Sequence, residues 1–99
     1  MAVEVLVEYT VAEGREAEAD RVRAAFLEAV AGWHPEQFTY RVLKRGAEGQ
    51  AFVHLAWLDS PETQQALFDT DFFKEFNEGM QHISGGTVNA SPLLPWNPA

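Results

Sequence analysis

The chain has 99 residues, 46% of them hydrophobic and 22% charged, enough for one globular core and too apolar for a disordered chain. It contains no cysteine, which excludes disulfides, thiolate metal sites and a Cys nucleophile. A formal charge of −8, with seven scattered Lys and Arg, argues against nucleic acid and anionic membranes as partners.

From Val3 to Val11 the odd positions Val3, Val5, Val7, Tyr9 and Val11 alternate with Glu4, Leu6, Glu8 and Thr10, the period of a strand. Glu4 and Glu8 interrupt the apolar residues and no basic region precedes them. Neither a signal peptide nor a membrane span is therefore expected, and a cytoplasmic location follows. After Gly14, residues Ala19, Val22, Phe26, Ala29, Val30 and Trp33 recur at helical spacing until Gly32 and Pro35 end the pattern. "QFTYRVLKR" and "QAFVHLAWL", joined by "GAEG", form a predicted hairpin.

Ser60 and Pro61 start a short helix to about Phe68, because serine caps free amides and proline suits the first helical position. A second start at Thr70 and Asp71 leads into Phe73, Phe76, Met80 and Ile83, stopped by Gly85 and Gly86. "TVNAS" is a last edge strand. The proline-rich end, residues 91–99, reads as an extended tail of a single domain spanning 1–99.

The order is β-α-β-β-α-β. It predicts an α+β, ferredoxin-like domain with two helices on one face of a four-stranded antiparallel sheet. Pairing the hairpin in its simplest register sets Val42 opposite Val53, Tyr40 opposite Leu55 and Phe38 opposite Trp57, facing the helices. Leu6, Leu43, Phe52, Ala56 and Leu58 then occupy the other face among Glu4, Glu8, Arg41, Arg45 and His54. A second copy of the chain is expected to cover that mixed face, giving a homodimer through Leu6, Leu43, Phe52 and Leu58.

The "VAEGREAEA" turn, the "AWLDSPE" strand end and the "TDFFKEF" helix resemble the antibiotic biosynthesis monooxygenase family over residues 3 to 90. The resemblance implies a dimeric α+β barrel and cofactor-independent oxidation of a small aromatic phenol or quinol by O₂. It also implies a pocket tryptophan at Trp57. The asparagine that catalytic members carry four residues earlier falls on Val53, and a haem-degrading relative's first-strand asparagine falls on Val7. The haem-ligand position falls on Asn77, so no haem, metal or other cofactor is expected. A non-catalytic dimeric binding or structural module of the same fold is the alternative.

The expected ligand cradle is Trp57, Tyr9, Tyr40 and Phe72, with Tyr40 and Asn77 as the candidate catalytic polar groups. Trp57 offers a stacking surface, although large aromatics are most often simply packed. His54 has the intrinsic pKa of a general base, but its parity in this register places it on the dimer face beside Arg41. His34 reads as a loop residue and His82 as a helix-end cation. No two of the three histidines have metal-ligand spacing.

Overall fold

The computed structural model describes residues 1–96. The elements are β1 (Val3–Thr10), α1 (Glu16–Val30), β2 (Phe38–Lys44), β3 (Ala51–Leu58), α2 (Pro61–Phe68), α3 (Asp71–Ile83) and β4 (Asn89–Leu93). All neighbouring strands run antiparallel, in the order β2-β3-β1-β4, which is the ferredoxin-like arrangement with its second helix broken in two.

Side-chain caps explain the break between α2 and α3. Ser60 Oγ accepts the Thr63 amide at 3.2 Å with Pro61 opening α2. Thr70 Oγ1 accepts the Phe73 amide, also at 3.2 Å, and starts α3. Thr70→Ala should therefore lower unfolding stability by about 1 kcal/mol, measurable as a shift of the urea midpoint at unchanged slope.

α1 and α3 lie against each other above the sheet, where Phe26 stacks on Phe76 with ring centroids 3.9 Å apart. The helices come close at Gly79: a Cβ there would lie 3.0 Å from a methyl of Val22. Beneath them the core gathers Tyr9, Val11, Ala19, Phe38, Leu58, Leu67, Met80 and Ile83. Among the described residues no helix is long and apolar enough to cross a membrane.

The hairpin departs from the expected register by one residue. Phe38 pairs with Leu58, Tyr40 with Ala56 and Val42 with His54. Lys44 and Phe52 are the last paired residues and enclose an odd number of residues. Gly46 and Gly49, at φ 79° and 84°, supply the left-handed positions that such a loop needs. Because side chains alternate, the slip turns the whole of β3 over. Phe52, His54, Ala56 and Leu58 face the helices, while Val53, Leu55 and Trp57 face outward.

The outer face consequently differs in composition from the expectation. Leu6 and Leu43 lie on it as expected, whereas Phe52 and Leu58 do not: Phe52 stacks on Tyr9, and Leu58 is 1% exposed in the core. β4 also starts two residues later than "TVNAS" and continues to Leu93, drawing Ser91 to Leu93 out of the expected tail. Pro92 pairs opposite Val5 on β4, an edge strand, where a residue without an N–H is tolerated. Residues 97–99 of the expected tail lie outside the described residues.

Candidate functional site

Between the sheet and the α2–α3 pair lies a cavity of about 200 Å³. Its floor includes Val5, Val7, Tyr40, Ala56 and Leu58, and its roof includes Leu67, Phe73, Phe76 and Met80. The polar side chains lining it are Tyr40, Asn77, Gln64 and Gln81. The burial of α3's Phe76 and Met80, one turn apart, aims that helix at the sheet, and the neighbouring Asn77 comes to the cavity edge.

Of the five expected site residues, Tyr40 and Asn77 meet at this cavity. Tyr9 does not line it: its side chain is buried beside a shallow cleft at the far end of β1. Phe72 packs in the seam between α1 and α3, against Phe26 and Trp33. Trp57 faces outward between Glu4 and Thr39, on the opposite side of the sheet, as a direct result of the one-residue slip.

The same slip brings a histidine to the helix side of the sheet. His54 is 1% exposed and lies under the helices, on the opposite face of the sheet from Arg41. Its Nε2 lies 2.8 Å from the Tyr9 hydroxyl and its Nδ1 lies 2.6 Å from the Tyr40 hydroxyl. Arg23, itself 7% exposed, donates from Nη1 to the Tyr9 hydroxyl at 3.1 Å and from Nη2 to Asp20 at 2.6 Å. Its guanidinium also lies over the Phe52 ring, 3.9 Å from the centroid. A continuous polar chain thus crosses the sheet from α1 to the cavity floor: Arg23, Tyr9, His54, Tyr40.

Electrostatics fix the protonation of this chain. Burial, helped by the nearby Arg23 charge, lowers the His54 pKa to about 4, so the imidazole is neutral near pH 7. Burial raises Tyr40 well above the ordinary phenol range, reinforced by the neighbouring Tyr9. Tyr9 is also raised by burial, with the Arg23 hydrogen bond and charge opposing. Both phenols are therefore neutral hydroxyls at physiological pH.

Arg23 left a trace in the sequence. It stands four residues after Ala19 and three before Phe26, inside the apolar stripe of α1 rather than on its solvated side. The four-residue pair facing the helices is His54 and Leu58, not Val53 and Trp57. His34 lies in the loop after α1 at φ 43° and bonds Gln37. His82 pairs with Glu18 at 3.2 Å near the end of α3. Among the described residues no three His, Asp or Glu side chains gather as metal ligands.

No family model and no curated protein sequence matches the chain. Its fold is that of solved structures that include antibiotic biosynthesis monooxygenase-like proteins. A Caulobacter crescentus protein proposed as an antibiotic biosynthesis monooxygenase superposes at TM-score 0.81 and 19% identity, over 97% of this chain and 91% of that one. SnoaB, a cofactor-independent oxygenase from Streptomyces nogalater, superposes at 0.76 and 16% identity, covering 97% and 94%. Rv0793 from Mycobacterium tuberculosis does so at 0.82 and 12% identity, covering 100% and 99%. These likenesses establish the fold.

Proposed function

We propose that the chain binds a small phenol or quinol in the cavity between the sheet and α2–α3, and oxidises it with O₂ without metal, flavin or nicotinamide. The observation that carries this reading is an apolar cavity whose floor presents Tyr40 at the end of a buried polar chain. SnoaB's description as a cofactor-independent oxygenase on the same fold supports it. At about 200 Å³ the cavity falls below the roughly 300–1,000 Å³ of sites for drug-sized ligands, so the substrate is small, on the order of one or two fused rings.

Such a reaction asks little of a protein. A phenol loses its proton, and the electron-rich phenolate passes an electron to O₂. The resulting phenoxyl radical and superoxide combine to a ring peroxide, which loses water to leave a quinone. One oxygen atom ends in product and the other in water. The protein's part is to hold the ring, stabilise the phenolate oxygen and exclude solvent. Phe73 and Phe76 supply aromatic walls, and Tyr40 and Asn77 are polar contacts, with Gln64 and Gln81 also lining the cavity.

A second reading, a non-catalytic binding module, is favoured by the burial of His54. The imidazole does not line the cavity, so it would reach a ligand proton only through Tyr40. Oxygen-electrode measurements with a panel of small quinols separate the two. The oxygenase reading expects uptake above the buffer rate with no added cofactor, slowed at least fivefold by Tyr40→Phe. Binding without uptake supports the module.

We further propose that two copies pair through the outer sheet face. Leu6, Val53, Leu55 and Trp57 are only half-buried there, and Leu43 and Leu93 are each 38% exposed. Among the described residues the three helices pack on the other face of the sheet. Glu4, Glu8 and Arg41 share it, and a two-fold pairing sets each copy's acidic and basic groups against the other's.

A further inference from the structure

We infer that the buried polar chain is wired in one direction, so that Tyr40 offers its O–H to the cavity as a donor and the site selects a ligand carrying an acceptor oxygen, a phenolate or a quinone carbonyl. The inference rests on the cavity reading above and adds which form of the ligand the cavity prefers.

The argument is a proton count along four side chains. Arg23 can only donate, and its Nη1 lies 3.1 Å from the Tyr9 oxygen, so Tyr9 accepts there. Tyr9 still has its own hydrogen to place, and His54 Nε2, at 2.8 Å, is the acceptor within reach of it. Nε2 is then the bare nitrogen of the ring. A neutral imidazole carries one N–H, which must sit on Nδ1 and point at the Tyr40 oxygen, 2.6 Å away. With one in-plane position of that oxygen accepting from His54, the Tyr40 hydrogen takes the other. It has no acceptor among the described residues, and Tyr40 is the member of the chain that lines the cavity.

The opposite wiring fails on the same count. If Tyr40 donated to Nδ1, Nε2–H would point at a Tyr9 oxygen already accepting from Arg23. The Tyr9 hydrogen would then be the one left over, buried without an acceptor, whereas in the first arrangement the hydrogen left over is that of Tyr40, at the cavity where a ligand or solvent can accept it. A protonated His54 meets the same difficulty, with a second cation beside Arg23. The anchoring of Arg23 by Asp20 holds the starting donor in place.

Isotope-edited nitrogen NMR of the histidine-labelled protein near neutral pH reads the wiring without any ligand. His54 should show a protonated Nδ1 and a bare Nε2; the reverse pattern overturns the wiring. The ligand half is tested with two probes of nearly equal size: pentafluorophenol, ionised at neutral pH with one acceptor oxygen, and pentafluoroaniline, a neutral donor. Fluorine NMR titration gives their affinities, and amide shifts at Leu67 and Met80 report whether they occupy the cavity. The phenolate should bind about tenfold more tightly than the aniline, and Tyr40→Phe should erase that preference while leaving aniline affinity within twofold. A preference for the aniline, or an equal loss for both probes in Tyr40→Phe, overturns the selection. If neither probe perturbs Leu67 and Met80 while Nδ1 is protonated, the cavity reading itself has failed and the ligand class falls with it.

Discussion

Leu55→Glu should convert the proposed dimer to folded monomer, with the mass by light scattering halved at micromolar concentration and the far-ultraviolet dichroism unchanged. Leu55 sits at the middle of the outer face, paired with Leu6 on β1 and Arg41 on β2, and flanked on its own strand by Val53 and Trp57. A carboxylate there would be buried against the second copy's apolar face. An unpaired buried charge costs about 3–5 kcal/mol, which weakens association by roughly a hundredfold or more. The fold itself should survive, because the side chain points away from the core formed by Phe26, Leu58, Phe76 and Met80. Phe52→Glu would serve badly as the same test: Phe52 faces inward under Arg23 and against Tyr9, so its loss would damage the core and the polar chain together. A wild-type mass of a single chain would remove the dimer from the account.

The contrast between Leu55 and Phe52 marks where the sequence was legible and where it was not. Alternation in "VEVLVEYT" and helical spacing in "DFFKEFNEGMQHI" report local periodicity, and both elements stand where that periodicity puts them. Register is a different quantity. It depends on whether the β2–β3 loop holds an odd or even number of unpaired residues, and "GAEG" allows either, since glycines at both ends permit several backbone courses. A strand as apolar on both faces as "AFVHLAWL" gives no help in choosing. In the observed register β3 places Phe52, Ala56 and Leu58 with Val3, Val5, Val7 and Tyr9 of β1, and that pairing buries His54 with them. The imidazole is acceptable there only because Tyr9 and Tyr40 satisfy both ring nitrogens, a condition set by three strands and invisible in any one of them. Within the candidate site, Tyr40 and Asn77 were legible because their own elements fixed their faces. Trp57 was misplaced with its strand. The burial of Arg23 is not legible from α1 alone, because a charged residue in an apolar stripe ordinarily reaches solvent.

Buried neutral histidine also makes the fold sensitive to acid, and the sign can be worked out. In the unfolded chain His54 takes up a proton near its ordinary pKa of 6.5, whereas in the folded protein it resists protonation until about pH 4. Between those values the unfolded state binds more protons, so stability is full above about pH 6.5 and declines as pH falls toward 4. Integrated over that window the loss is roughly 3 kcal/mol, a large share of the 5–15 kcal/mol typical of a whole domain. The groups facing the ring cannot relieve it: Arg23 is a fixed cation reached through Tyr9, both tyrosines are held neutral, and the Asp20 carboxylate is engaged by Arg23 at the solvent edge. His54→Gln isolates the effect. A glutamine can accept from Tyr9 and donate to Tyr40 in the same direction as the imidazole, yet it does not titrate. Urea unfolding followed from pH 7 to pH 4 should therefore show wild type losing about 3 kcal/mol more than the variant, with carboxylate contributions common to both cancelling in the difference. Parallel profiles would mean that the imidazole takes up its proton without cost, and the neutral, singly protonated ring on which the wiring of Tyr40 depends would have to be abandoned.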